Sequence, residues 1–188
     1  MSATTTPFAT TTAWDIDPTH SGVHFAVKHL MVSTVRGEFG KVAGSVELDA
    51  EDITRSRIHA VIDASSINSR EAQRDAHLLS PDFLDVERYP TIEFRSTSLA
   101  RTSDGFDATG ELTIRGVTRP VALRVETSGT ELTDPFGNLK RGASATAKIS
   151  RKDFGLEWNV ALETGGFLVG DEVKIEIDVE LVRRAETL

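Results

Sequence analysis

The sequence predicts an all-β fold, a barrel or sandwich of about eight or nine strands. Three observations carry this: short segments of period-two alternation recur, turn-forming residues separate them, and only one stretch has the composition of a helix. The most legible segment is the last, residues 172–182. Val173, Ile175, Ile177 and Val179 fall on one side, with Glu172, Lys174, Glu176, Asp178 and Glu180 on the other. One face is oily and one is solvated, as in a half-buried strand.

In chain order, the Thr-rich residues 1–13 contain no basic residue and no apolar run. They read as a disordered tail lacking the two physical parts of a secretory signal, so a cytoplasmic protein is expected. The predicted barrel spans residues 14–182, and 183–188 form a short C-terminal tail. Asp17 and Pro18 favour a turn, since Pro sets φ and an Asp side chain bonds nearby backbone amides. A strand over 22–29 follows, with Val23, Phe25, Val27 and His29 on one face and His24, Ala26 and Lys28 on the other. It continues through Phe39, where Gly37 and Gly40 mark a bend or bulge. Further strands are predicted at 45–48, 57–63, 91–99, 106–114, 120–127 and 143–150. Ser103, Asp104 and Gly105 suit a hairpin reversal, and Asp134, Pro135, Gly137 and Asn138 a longer connection.

Residues 68–79, NSREAQRDAHLL, break the pattern. They contain good helix formers, with Asn68 as the expected cap and Glu71 three residues on to complete a capping box. Pro81 ends this helix.

At 188 residues, 39% hydrophobic and 27% charged, the chain suits one domain that hides roughly 70% of its unfolded surface. A formal net charge of −8 argues against a nucleic-acid partner, which requires clustered Lys and Arg. The absence of cysteine removes disulfides, thiol nucleophiles and cysteine metal sites together. No apolar segment approaches the roughly 20 residues needed to cross a bilayer, so membrane contact is expected to be transient.

His20, His24 and His29 with Asp17 invite a metal reading, but in an extended chain His20 and His24 lie about 13 Å apart, and His29 faces away from His24. No metal is expected. Asp17, His20 and Ser21 resemble a hydrolytic set only superficially, because adjacent strand residues point to opposite faces and no G-x-S-x-G elbow presents the hydroxyl. The glycines form no phosphate cradle.

The strand GASATAKIS carries more information. Lys148 faces water, which turns Ala143, Ala145, Ala147 and Ile149 inward. Three inward alanines leave volume to fill, since protein interiors pack at crystal density. The filler is the 68–79 helix, a bulky side chain from across the barrel, or a ligand. The other inner faces are apolar: Ile92 and Phe94; Leu112 and Ile114; Val121, Leu123 and Val125. A guest in such an interior would be oily. His29 is the ionisable residue on these faces and a candidate for orienting a polar head group. Phe83, Tyr89, Phe154, Trp158 and Phe167 would cover the barrel end or line its mouth.

Trp14, Asp15, Asp17, Pro18, His20 and Ser21, followed by Val23, Phe25, Val27, His29, Gly37 and Phe39, resemble the opening signature of the YceI-like family. The resemblance extends through Ser66–Asn68, Arg74, Asp75, His77 and Leu78, then Asp82, Phe83, Asp85, Tyr89 and Pro90, Gly116–Thr118, and Arg151, Asp153, Phe154 and Gly155. It implies an antiparallel eight-stranded lipocalin-like barrel with one short helix at its mouth. It also implies an interior that binds, sequesters or transports a polyisoprenoid, quinone-like or similar long-chain amphiphilic lipid without catalysis. By family analogy a homodimer is also expected. Arg74 with Asp75 and Arg151 with Asp153 look like fold-fixing pairs. The candidate cavity residues are Val23, Phe25, Val27, His29, Phe39, Leu78, Phe83, Phe94, Ile114, Ala143, Ala145, Ala147, Phe154 and Trp158. No cofactor is expected beyond the lipid. The competing readings are an enzyme acting on such a lipid through His29 or His77, and a fully packed interaction module.

Overall fold

The computed structural model describes residues 11–185 apart from 129 and 164. In order, the elements are β1 (Thr11–Ile16), β2 (Gly22–His29), β3 (Ser33–Phe39), β4 (Val42–Asp49), β5 (Arg57–Asp63), β6 (Ile67–Asn68) and α1 (Ala72–Leu79). They continue with β7 (Thr91–Arg101), β8 (Phe106–Ile114), β9 (Val117–Thr127), β10 (Leu132–Thr133), β11 (Leu139–Ser150) and β12 (Val169–Arg183). All pairings are antiparallel, and β11 pairs with β12 along its length to close the sheet on itself.

Twelve strands make eight staves because four staves are broken, one of them into β9 and β10, which lie end to end along one edge of β11. β1 and β2 lie end to end along one edge of β12, at Leu181–Arg183 and Val169–Asp178 respectively. β3 and β4 lie end to end against them, and β5 and β6 pair in turn with β4 and β3. Closure gives most of the wall a hydrogen-bonded neighbour on both sides and so limits the edge that could template aggregation. The breaks fall at Asp17–Ser21, at Gly40–Lys41, where a short 3-10 turn spans Ala64–Ser66, and between Thr127 and Leu132.

Where two inner-facing rings crowd the wall, the partner strand supplies a glycine. Phe25 stands opposite Gly37, and any Cβ there would lie 2.4 Å from its ring. Phe94 covers Gly110 in the same way, at 2.5 Å. Such glycine–aromatic pairs let a small barrel carry large inward side chains.

Several boundaries differ from the sequence-based expectation: the 22–29 strand does not continue through Phe39 but reverses after His29 into the antiparallel β3, and β4, β7, β9, β11 and β12 run longer than the alternation indicates. Thr11–Ala13 belong to β1 rather than to a tail, since they pair with Glu47–Asp49 of β4; residues 1–10 lie outside the described residues. Arg183 extends β12 by one pair, opposite Trp14. Asn68 does not cap the helix. Glu71 does, accepting from the N–H groups of Gln73 and Arg74, while Asn68 sits in β6 and its side chain accepts from Arg70 N. The carboxylate is the better partner for the positive end of the helix.

The two ends of the barrel are built differently. One end, which we term the helix end, is covered by α1, the 80–90 segment and a 3-10 turn at Arg151–Phe154. There Phe83, Leu84, Phe154 and Leu156 are buried, Phe154 to 1% exposure. The opposite end is formed by the start of β1, the turns after β4 and β7, and the connection between β9 and β11.

Candidate functional site

Between the ends lies a cavity of about 600 Å³. Its wall is the inner parity of the strands: Val23, Phe25 and Val27 of β2, Ile58, Ala60 and Ile62 of β5, Leu123 and Val125 of β9, and Ile175, Ile177 and Val179 of β12. Ile58, Ala60, Ile62, Ala143, Ala145, Ile175, Ile177 and Val179 point inward yet are only half-buried. A side chain in a filled core touches neighbours on all sides; these face open volume.

Of the predicted cavity residues, Val23, Phe25, Val27, Phe39, Leu78, Phe83, Phe94, Ile114, Ala143 and Ala145 line it. His29, Ala147, Phe154 and Trp158 do not, each for a local reason. His29 is the last residue of β2, paired with Ser33 and Val169 beyond the wall. Ala147 lies farther along β11 toward the 3-10 turn at Arg151–Phe154, outside the lining that Ala143 and Ala145 supply. Phe154 is part of the solid cover, and Trp158 packs edge-on to His77, with centroids 4.6 Å apart, and against Phe83. The His77 ring is bonded to Asp82 at 2.9 Å.

The polar end of the cavity was not predicted. Thr12, Asp49, Arg101, Ser128, Thr130 and Arg141 reach it, all from the end opposite the helix. His29, the predicted orienting group, sits at the other end. The signal was present in the strand parity: Arg101 shares the side of Leu99, and Arg141 that of Ala143 and Ala145. Arg141 is bonded to Glu131 at 3.1 Å and lies over the Trp14 ring, whereas Arg101 has no carboxylate within 4.0 Å among the described residues. Asp49 is held below the ordinary carboxylate range, first by the backbone N–H of Asp52 and then by the Arg55 guanidinium.

Arg151 also borders the cavity, at the helix end, but its donors are spent. It is 4% exposed and donates to the carbonyls of Leu156, Trp158 and Gly170. Its acid partner is Asp171, at 3.3 Å, rather than the expected Asp153. Arg74 and Asp75 likewise do not pair with one another; both close on Ser69. Tertiary loops override sequence proximity in both cases.

Asp17, His20 and Glu180 each place one ligand atom within 4.8 Å of the others. The Lys140 ammonium stands among them, 2.9 Å from Asp17 and 2.6 Å from Glu180, and supplies the positive charge that an ion would bring. Ser21 is engaged with the backbone of Glu180, accepting from its N–H at 3.0 Å, so it forms no nucleophilic set with His20.

A closed eight-stranded antiparallel barrel around an apolar internal cavity defines the lipocalin-like class of β-barrels. Within that class the chain belongs to the YceI-like domain family, whose sequence model matches residues 14–181. It is 36% identical over 169 residues to a UPF0312 protein of Staphylococcus aureus strain N315, covering 90% of this chain and 96% of that one. Among solved structures, the Campylobacter jejuni YCEI protein superposes with a TM-score of 0.69 at 28% identity, over 85% of this chain and 90% of that one. BcnA of Burkholderia cenocepacia gives 0.74 at 22% identity, over 88% and 98% of the two chains. A polyisoprenoid binding domain from Saccharophagus degradans gives 0.67 at 14% identity, over 92% and 99%. The last two establish the fold. Among the described residues, no helix is long and apolar enough to cross a membrane.

Proposed function

We propose that this protein binds a polyisoprenoid or similar long-chain amphiphilic lipid inside the barrel, to sequester or carry it, without chemical change. The observation that carries this reading is the 600 Å³ cavity walled by half-buried aliphatic side chains. Its volume lies within the range of ligand sites. Burial of methylenes contributes up to about 0.8 kcal/mol each, so a long chain binds without a strong polar anchor, although ordering the chain offsets part of the gain. A lipid with its chain along the apolar wall would place its head near Arg101, Arg141, Ser128 and Thr130. The polyisoprenoid binding domain among the structural neighbours supports the same ligand class.

The test is native mass spectrometry of the purified protein, then organic extraction and reloading with polyprenyl lipids. A stoichiometric long-chain lipid is expected. Ala145→Phe, which puts a ring into the cavity from the wall, should lower lipid affinity at least tenfold while the fold survives. Persistent refusal of polyprenyl lipids, or unchanged affinity in the folded variant, would reject the reading.

A further inference from the structure

The turn between β2 and β3 has an unexpected composition. Within the three-residue loop between the paired His29 and Ser33, His29 to Val32 forms a β-turn, with the N–H of Val32 donating to the His29 carbonyl at 3.1 Å. Both central residues have positive φ, Leu30 at 54° and Met31 at 59°. Such a turn favours Asn-Gly, because other side chains are strained in the left-handed region. The corresponding turn between β8 and β9 has a glycine, Gly116, in its second position. Here the chain accepts the strain twice and displays large apolar side chains. Leu30 is 40% exposed, Met31 71% and Val32 85%. Phe167, 54% exposed, extends the patch: it lines a shallow groove together with Met31, and Leu30 N bonds to the neighbouring Leu168 carbonyl.

Directly behind this tip, the outer face of the barrel is basic. Strand register aligns Lys148, Lys174, Ala26 and Arg36 in one row across β11, β12, β2 and β3, with Lys28 one step nearer the tip. Lys148 and Lys174 are directly opposite, an arrangement that costs stability. Of the acids on this face, Glu172 is engaged with Lys148, Asp171 with Lys152 and Glu38 with His24, and Glu176 lies one row farther from the tip. Lys28, Arg36 and Lys174 are exposed and have no carboxylate within 4.0 Å among the described residues. In a chain of net charge −8, such a cluster faces an anionic partner.

We infer that the helix end docks on an anionic lipid bilayer, the Leu30–Met31–Val32 tip and Phe167 entering the interface while Lys28, Arg36 and Lys174 meet the head groups. An apolar edge backed by cations is what such a surface recognises. Docked this way, the apolar end of the cavity, bounded there by Val27 and Val169, faces the acyl region and its polar end faces water. The inference goes beyond the lipid-binding reading and does not depend on it for evidence.

The experiment is flotation of the full chain with vesicles of phosphatidylcholine, with and without phosphatidylglycerol, over a range of salt. Binding to the anionic vesicles, weakening with salt, is expected. Gln replacements at Lys28, Arg36 and Lys174 should each lower partitioning roughly fivefold. The double variant Leu30→Asn, Met31→Gly gives the turn its preferred residues, so it should fold at least as stably as the parent and yet bind vesicles at least tenfold less. Equal binding to neutral vesicles, no binding, or full binding by the turn variant would overturn the inference. So would a dimer, seen by analytical ultracentrifugation, that the turn variant dissolves, since the tip would then cover a second copy. A protein that floats but holds no lipid in mass spectrometry would sink the carrier reading alone, and one that holds lipid but does not float would sink docking alone.

Discussion

At the helix end, the Arg151 guanidinium is buried and bonded to three carbonyls and to Asp171. At the opposite end, Arg101 reaches the same cavity with no carboxylate within 4.0 Å among the described residues. Buried polar groups in proteins are normally satisfied. Arg151 at the helix end is consumed in tying the 156–158 segment to the start of β12, whereas at the far end Arg141 and Asp49 are bonded within the protein and Arg101 is left to meet something that enters the cavity. Two arginines on one cavity thus have different work, one structural and one available to a ligand.

Replacing each arginine by methionine separates these roles. Arg151→Met removes donors from buried carbonyls and leaves Asp171 without its guanidinium, and should cost about 3–5 kcal/mol in urea unfolding. Arg101→Met should stay within about 0.5 kcal/mol, as for a surface change. Comparable losses at the two sites would abolish the distinction between the ends.

The alanines of β11 sharpen the same contrast within a single strand. Both Ala145 and Ala147 pack against the core, but only Ala145 also lines the cavity. Ala147→Phe should overpack its surroundings and cost about 1–3 kcal/mol. Ala145→Phe should fold with a smaller loss, because its ring has volume to enter. A larger stability loss at Ala145 than at Ala147 would mean that the cavity wall is closed around that residue.

For ligand binding, the polar end predicts selectivity. Arg101→Gln combined with Arg141→Gln should weaken a polyprenyl lipid with an anionic head roughly tenfold, in line with the loss of charge-assisted hydrogen bonds, and leave a neutral hydrocarbon chain of equal length unaffected. Equal losses for both ligands would move the head group elsewhere in the barrel.

Much of this was legible from period two alone. The inner faces of β2 apart from His29, of β9 and of β12, and the second half of that of β8, were readable in the alternation, because a one-residue slip would turn each apolar set to water. The broken staves were not legible. β1 and β2 share an edge of one long strand, and nothing local to Thr11–Ala13 announces pairing with β4. The 151–169 cover was equally hidden, since Arg151 acts through carbonyls whose positions depend on a loop of little regular structure. Arg101 and Arg141 were readable by parity, but charged residues at strand ends are ordinarily solvated, so an oily interior drew attention to His29 instead.

The smallest expected effect concerns how the polar end is held from outside. Lys140 points outward beside the inward Arg141 and ties the start of β11 to Asp17 and Glu180. The Asp17 carboxyl is held well below the ordinary carboxylate range by the Thr19 hydroxyl, then the Lys140 ammonium and the His20 ring. Its folded pKa therefore lies below the unfolded value near 4, so the ionised form stabilises the fold above about pH 4, and that stability drains away as pH falls toward the folded value. Asp17→Asn should lower Tm by roughly 2–4 °C at neutral pH, and the gap to the parent should narrow as pH falls below about 4, where the unfolded parent takes up a proton that the folded one does not. A gap that persisted unchanged to pH 2 would show that shape rather than charge at Asp17 fixes this side of the barrel, and Arg141 would then owe its position to Trp14 and Glu131 alone.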